Sequence, residues 1–243
     1  MGMPITIEVV DKTVREEDIE KIFSYFTSVD ETFSTYKKTS EISQFNAGVL
    51  PKNKLSNQVK KILQLAGETK QATNGYFDIY RNSSIDPSGI VKGWAIAHAA
   101  QLLRKKGFSH FFIDAGGDIQ VSGKNAQGRQ WTVGIRNPFN REEIVKVLVI
   151  EDHGVATSGT YIRGQHIYNP HRQNAEITDI VSLTVIGPNI YEADRFATAA
   201  FAMGKEGIRF IEGLEGFEGY MIDKNGIATM SRGFSNFVRN PMA

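Results

Sequence analysis

Apolar residues recur along the chain with two different periods, and each period predicts one kind of secondary structure. A spacing of three to four residues predicts amphipathic helices over residues 14–29 and 55–73. Short or alternating apolar runs predict strands, which we place at residues 5–10, 110–113, 119–122, 131–135, 144–150 and 180–186. Residues 219–222 and 227–230 predict a final hairpin around a polar turn that contains glycine.

The arrangement of these elements predicts the fold class. Helices and strands are mixed, and the later half carries several short sequential strands, which favours an α+β fold. We also expect a short strand at residues 32–36 and a capped turn that starts at Ser40. No internal repeat, low-complexity segment or linker divides the chain, so we expect one domain over residues 1–243.

The stretch at residues 85–103 is the one around which the rest is organised. It opens at Asp86 with the letters D-P-S-G, which form turns, and continues from Gly93 as an apolar helix. A tight turn before a helix directs backbone N–H groups and the positive end of the helix dipole at whatever lies over the turn. Asp86 and Lys92 flank this turn. A capped core helix without a ligand fits the same spacing, and spacing alone favours that second interpretation.

Two glycine-containing motifs add candidate binding groups. Residues 75–78 read G-Y-F-D, and aromatic rings beside a carboxylate suit a heterocyclic ligand, although a turn with two core aromatics is the simpler interpretation. Residues 114–118 read D-A-G-G-D, which indicates a turn or bulge and also allows a phosphate to approach the backbone.

Two places later in the chain combine polar side chains. Asp194 and Thr198 are one helical turn apart among small residues, so they share a face where their oxygens suit a hard cation such as Mg²⁺. An acid that offsets the helix dipole and a threonine that bonds back to the helix explain them equally. His166 precedes an Asn-Pro pair, and Arg163 and His171 lie near it in the sequence. A single histidine is more often structural than catalytic, but these neighbours add modest support for a functional role.

Composition excludes several function classes. The 243 residues are 41% hydrophobic and 23% charged, which is typical of a globular protein, and the net charge of +1 predicts no nucleic-acid partner. No cysteine is present, so disulfides and thiol catalysis are excluded. No apolar run reaches the roughly 18 residues of a membrane helix, and no export signal is visible. We therefore expect a cytoplasmic protein, or an exported or anchored one if a leader was removed.

Taken together and in this order, the motifs resemble the ApbE family, the FAD:protein FMN transferases. The resemblance spans nearly the whole chain and depends on Met1-Gly2 and on the segments F-S-T-Y-K-K-T-S-E-I-S-Q-F-N, G-Y-F-D, D-P-S-G-I-V-K-G-W-A, D-A-G-G-D-I, W-T-V-G-I-R-N-P, V-A-T-S-G-T-Y-I-R, H-I-Y-N-P and Y-E-A-D-R-F-A-T-A. It implies one ApbE-like domain with mixed or antiparallel sheets flanked by helices. It also implies an enzyme that binds FAD with Mg²⁺, transfers FMN to a threonine of an acceptor flavoprotein, and releases AMP.

The resemblance also assigns roles to individual residues. The FAD contacts that it implies are Met1, Tyr36, Tyr76, Phe77, Asp78, Asp86, Lys92 and Ile167. The implied metal ligands are the carbonyl oxygen of Gly89 and the side chains of Asp194 and Thr198, and the implied catalytic residues are Asp194 and His166. Here His166 would activate the acceptor hydroxyl.

The chain departs from the family in two visible ways. The segment between Asp78 and Asp86 is very short where the family often has a long insert, which indicates a compact subfamily, and the lipoprotein leader of the family is not seen. Two other functions use the same residues. One is an FAD pyrophosphatase that produces FMN and AMP, and the other is a flavin-binding module without catalysis, against which the intact Asp194 and Thr198 argue.

Overall fold

The structure is a computed structural model that describes residues 2–81, 83–160, 167–172 and 175–239. Its helices are α1 (Glu16–Phe33), α2 (Glu41–Asn46), α3 (Asn57–Ala72), α4 (Ser88–Lys105), α5 (Ile190–Ala202) and α6 (Gly207–Glu212). Its strands are β1 (Ile5–Val9), β2 (Tyr80–Arg81), β3 (Ser84–Ile85), β4 (Phe111–Ala115), β5 (Asp118–Ser122), β6 (Trp131–Arg136), β7 (Ile144–Ile150), β8 (Gly154–Gly159), β9 (Tyr168–Asn169), β10 (Ala175–Glu176), β11 (Ile180–Gly187), β12 (Glu218–Asp223) and β13 (Ala228–Met230). Helices packed on antiparallel sheets confirm the predicted α+β class.

One large sheet organises the strands. Its seven strands lie in the order β1-β4-β5-β8-β11-β12-β13, and every pairing in it is antiparallel. The ribbons β2–β3, β6–β7 and β9–β10 are separate two-stranded pairs. At the centre, β5 pairs with β8 only through Ile119 with Val155 and Gln120 with Gly154, whereas β8 pairs with β11 along its whole length.

Two apolar clusters cover opposite faces of this sheet. On one face, α4 packs against α5 and α1, and α5 packs against β8 and β11. On the other face, the ribbon β6–β7 contributes Trp131 and Leu148 to a second cluster with residues of β5 and β12. The middle of the sheet is therefore buried on both sides, as the fully buried β5 illustrates.

The structure corrects two element predictions. The strand expected at residues 32–36 is wrong, because α1 continues to Phe33 and buries Val29 and Phe33 on the same stripe as Phe26. The helix expected from Gly93 begins earlier, at Ser88, where the N–H groups of Ile90 and Val91 already donate to the carbonyl of Pro87 at 3.0 Å.

Most of the other elements match their predictions within a few residues. Ser40 caps α2 as expected, because its hydroxyl oxygen accepts the N–H of Ser43 at 3.1 Å. Within the described ranges, no helix combines the length and the apolar character needed to cross a membrane.

Candidate active site

The candidate site forms where the start of α4 meets the first turns of α5. The N–H of Gly93 on α4 donates to Oδ2 of Asp194 on α5 at 2.7 Å. A Cβ on Gly93 would lie 2.6 Å from the Cβ of Asp194 and 2.8 Å from the carbonyl oxygen of Ile190. The two helices can approach this closely because residue 93 has no side chain.

Asp194 is a buried carboxylate with few compensating groups. The residue is 5% exposed, and α5 is capped just before it by Asn189, whose side-chain oxygen accepts the N–H of Glu192 at 3.1 Å. Burial is the main cause that raises the pKa of Asp194, and the carboxylate of Asp118 raises it further. Lys92 and the N–H of Gly93 act in the opposite direction. A cation bound beside Asp194 would therefore stabilise its ionised form.

Lys92 is held by an acid that sequence analysis did not select. Its Nζ lies 2.5 Å from Oδ2 of Asp118, and the two side chains are 14% and 2% exposed. Oδ1 of Asp118 also accepts the N–H of Thr157 at 3.2 Å, so this carboxylate ties the first residue of β5 to β8. Asp118, Asp194 and Lys92 together bring two carboxylates and one ammonium group into the protein interior.

Three oxygen donors meet beside this cluster. Thr198 follows Asp194 by one turn of α5, and its Oγ1 lies 3.5 Å from the carbonyl oxygen of Gly89 on α4. Together with the Asp194 carboxylate, the Thr198 hydroxyl and the Gly89 carbonyl form a set of oxygen ligands, which Mg²⁺ prefers. No group of three His, Cys, Asp or Glu side chains in the described part of the chain could hold a metal. This mixed set of carboxylate, hydroxyl and carbonyl, with a surplus negative charge beside it, therefore fits a hard cation.

Aromatic side chains stand beside the polar groups. Phe77 is 3% exposed, and its N–H donates to Oγ1 of Thr73 at 3.1 Å. The ring of Tyr76 lies 4.5 Å from the ring of His171, centroid to centroid. The guanidinium of Arg81 lies 4.3 Å from the centroid of the Tyr168 ring. These contacts fix the rings in place, and fixed rings can accommodate a flat heterocycle at little entropic cost.

Many of these groups line one cleft of about 950 Å³, a volume that includes space open to solvent. A ligand of many atoms fits such a volume. Most residues assigned from the resemblance line it, namely Tyr76, Phe77, Asp78, Asp86, Gly89, Lys92, Ile167, Asp194 and Thr198. The structure therefore brings together residues from four separate stretches of the sequence.

One assigned residue lies away from the cleft, and two others are not among the described residues. Tyr36 is 95% exposed, follows the end of α1 and does not line the cleft, so its contact with FAD stays a prediction. Met1 and His166 lie outside the described residues, and their roles stay predictions as well.

Other cleft residues were missed as site residues. Thr157, Ser158 and Gly159 line the cleft from β8, and Gly116 lines it from the turn before β5. The segment A-T-S-G and the paired glycines were the available signals, but only the sheet pairing shows that they face the same space.

An α+β fold with such a cleft suits a small anionic or heterocyclic ligand. Comparison with known proteins identifies the family to which the chain belongs. The sequence model of the ApbE family matches residues 1–83 and 80–221, and the chain belongs to this family. The membership predicted from the motifs is thus confirmed.

Named relatives and solved structures agree with this assignment. The FAD:protein FMN transferase of Salmonella typhimurium is 33% identical over 151 residues, which cover 58% of this chain and 43% of that protein. The chain thus spans less than half the length of this relative. The ApbE protein of Thermotoga maritima has a TM-score of 0.85 at 21% identity, and the flavin transferase ApbE of Vibrio cholerae has 0.83 at 22%. Those alignments cover 98% of this chain and 97% and 96% of the other two, and at such identity they establish the fold.

Proposed function

We propose that this protein is a Mg²⁺-dependent FAD:protein FMN transferase. In this proposal it moves the FMN moiety of FAD to a threonine hydroxyl of an acceptor flavoprotein and releases AMP. The observation that carries the proposal is the meeting of Asp194, Thr198, the Gly89 carbonyl and Lys92 in one cleft beside Phe77. The names of the relatives add support, because the protein from Salmonella typhimurium is a FAD:protein FMN transferase.

The start of α4 suits the pyrophosphate of FAD. Ser88 and Gly89, in the first turn of this 18-residue helix, line the cleft, so the positive end of the helix dipole faces it. Lys92, one turn further on, adds a full positive charge. Asp86 fixes the entry to the helix, because its Oδ1 accepts the N–H of Ser88 at 3.0 Å.

The oxygens of Asp194, Thr198 and Gly89 would hold the magnesium ion. A bound Mg²⁺ supplies positive charge that stabilises phosphate oxygens as negative charge builds up on them. Asp194 contributes the charge that binds the ion, and Gly93 orients Asp194 through its N–H. On the other side, Tyr76, Phe77, Ile167 and Tyr168 provide rings and an aliphatic side chain against which the isoalloxazine ring would lie.

The proposed transfer exchanges one phosphorus–oxygen bond for another. The threonine oxygen forms a bond to the phosphorus of the FMN half, and the bond from that phosphorus to the bridging oxygen breaks. AMP leaves with the electron pair of the broken bond, and the hydroxyl proton passes to a base. We assign that base to His166 from the family resemblance, because a threonine hydroxyl is a poor nucleophile without such help.

Mass spectrometry tests the proposal directly. The protein, FAD and Mg²⁺ are incubated with an acceptor flavoprotein that carries a threonine flavinylation site, and with the same acceptor in which that threonine is replaced by alanine. Transfer predicts that FMN is added covalently to the first acceptor only, with one AMP released for each FMN added. Release of FMN and AMP without modification of the acceptor would instead identify water as the acceptor. Binding of FAD without cleavage would support a carrier module.

A pair of variants controls for loss of the fold. Asp194→Asn should abolish transfer, whereas Asp18→Asn should preserve it. Asp18 is also largely buried and pairs with Lys106 at 2.7 Å, but neither residue lines the cleft. Equal activity of the two variants would refute the role proposed for Asp194.

A further inference from the structure

We propose that Asp118 is a positioning residue that keeps the ammonium group of Lys92 away from the carboxylate of Asp194. The proposal rests on the metal site of the function proposed above, because that site gives Asp194 a cation to bind. Its consequence is that Asp194 stays available for an external metal ion while Lys92 stays in the cleft.

The ammonium group of Lys92 pairs with one of the two buried carboxylates near it and not with the other. Lys92 lies 2.5 Å from Oδ2 of Asp118, and no ion pair joins Asp194 to a cationic side chain among the described residues. Lys92 is nevertheless close enough to Asp194 to act on it electrostatically. An ammonium group on a flexible four-carbon stem would pair with Asp194 if its present partner were removed.

Asp118 is held in place by the sheet. It is 1% exposed, it begins β5, and its other oxygen accepts the N–H of Thr157 on β8. The turn before it places Gly116 and Gly117 at φ 63° and 94°, a backbone conformation that glycine adopts readily. Asp118 is therefore fixed by the sheet, and it fixes the lysine in turn.

Asp118 differs from its two charged neighbours in its position relative to the cleft. Lys92 and Asp194 both line the cleft, whereas Asp118 does not. Asp118 binds Lys92 and lies next to Asp194, but it does not line the cleft. It therefore acts on a bound ligand through these two residues. Substitution of Asp118 should therefore change metal binding through Lys92, and removal of Lys92 should reverse that change.

Mn²⁺ binding to the full chain tests this coupling. Mn²⁺ shares the preference of Mg²⁺ for oxygen ligands, and the electron paramagnetic resonance signal of the free ion decreases on binding. Asp118→Asn keeps the shape and an acceptor for Thr157 but removes the charge, and it should weaken Mn²⁺ binding by about tenfold as Lys92 moves to Asp194. The double variant Asp118→Asn/Lys92→Met should bind Mn²⁺ within about threefold of the wild type.

The outcomes test the proposal against a ligand role or a purely structural role for Asp118. Weak binding in both variants would overturn the proposal, because Asp118 would then act as a ligand or only as a structural residue. Unchanged binding in Asp118→Asn would overturn it too. If the single variant does not fold, as circular dichroism would show, Asp118→Glu takes its place. That variant keeps the charge, so it should bind Mn²⁺ within about threefold of the wild type, and a tenfold loss would refute the proposal.

A matched pair elsewhere in the fold provides the control. Asp18→Asn and Asp18→Asn/Lys106→Met remove one or both partners of another aspartate–lysine pair and should leave Mn²⁺ binding unchanged. No acceptor protein enters these measurements. A protein that shows the predicted Mn²⁺ coupling but fails to modify an acceptor would refute the proposed transferase function and leave this inference standing.

Discussion

Gly93→Ala provides a strong test of how the two helices form the site. One added methyl group would lie 2.6 Å from the Cβ of Asp194, 2.9 Å from its Oδ2 and 2.8 Å from the carbonyl oxygen of Ile190. All three distances are too short for an unstrained contact, and one of the atoms belongs to the backbone of α5. We therefore expect α4 and α5 to move apart at the point where the metal ligands converge.

The magnitude follows from two opposing terms. Alanine is favoured over glycine inside a helix by about 0.5–1 kcal/mol. Overpacking of a filled interior costs typically about 1–3 kcal/mol, and three close contacts at once place Gly93→Ala at the upper end. The net expectation is a loss of about 2 kcal/mol in the free energy of unfolding.

Gly67→Ala is the matched control, because Gly67 also lies inside a helix, α3, but a Cβ there would have no atom within 4 Å. It should gain about 0.5–1 kcal/mol. Urea unfolding followed by circular dichroism measures both changes, and calorimetry with FAD and Mg²⁺ measures binding. Binding should weaken in Gly93→Ala only. If Gly93→Ala were stabilised as much as Gly67→Ala, the packing described for α4 and α5 would be wrong.

Three further predictions concern single side chains. Asp194→Asn should fold, because the amide oxygen can still accept the N–H of Gly93. It should lose transfer in the mass-spectrometric assay, and near wild-type transfer would remove Asp194 from the metal site. His166→Gln should lower the rate of transfer by about 10²–10⁴-fold with nearly unchanged FAD affinity and a flatter acidic limb of the pH–rate profile, and an unchanged rate would exclude it as the base. Asp18→Asn should lower the urea midpoint at pH 7, because the Lys106 ammonium and then the Arg15 N–H hold the pKa of Asp18 below its ordinary 3.8. The ionised carboxylate stabilises the fold above pH 3.8, and this stabilisation is lost as the pH falls through the folded-state pKa. The difference in urea midpoint between variant and wild type should therefore close in acid, and a difference that is constant with pH would contradict this.

The sequence predicts the secondary elements well where a pattern is local. The stripe of α3 and the cap at Ser40 depend on neighbours within one turn, and the structure has them at the expected places. The prediction was wrong at residues 32–36, because Thr and Phe favour strands locally. Burial of Phe33 against Trp94, at a ring distance of 5.9 Å, extends the helix instead.

The candidate site was predictable where the resemblance attached a role to a motif. Asp194 and Thr198 also share a helix face by spacing alone, and the structure places both in the cleft. Spacing could not decide between a cation site and a helix-dipole contact, because both interpretations need an early acid. The burial of Asp194 favours the cation site. Its residue exposure of 5% is much lower than a solvent-facing acid at a helix end would have.

Asp118 shows why the remaining part of the site could not be read from the sequence. Its partners Lys92 and Thr157 lie on α4 and β8, far from it in the sequence, and no local spacing connects them. Two features of the fold bring them together. The glycine turn sets Ala115 opposite Asp118 in the β4–β5 hairpin, and the pairing of Ile119 with Val155 then places Asp118 beside β8. A shift of that register by one residue would turn Asp118 to the other face of the sheet, away from α4, and Lys92 would lose its acid. The charge arrangement of the site is thus a property of sheet register, which long-range pairing determines.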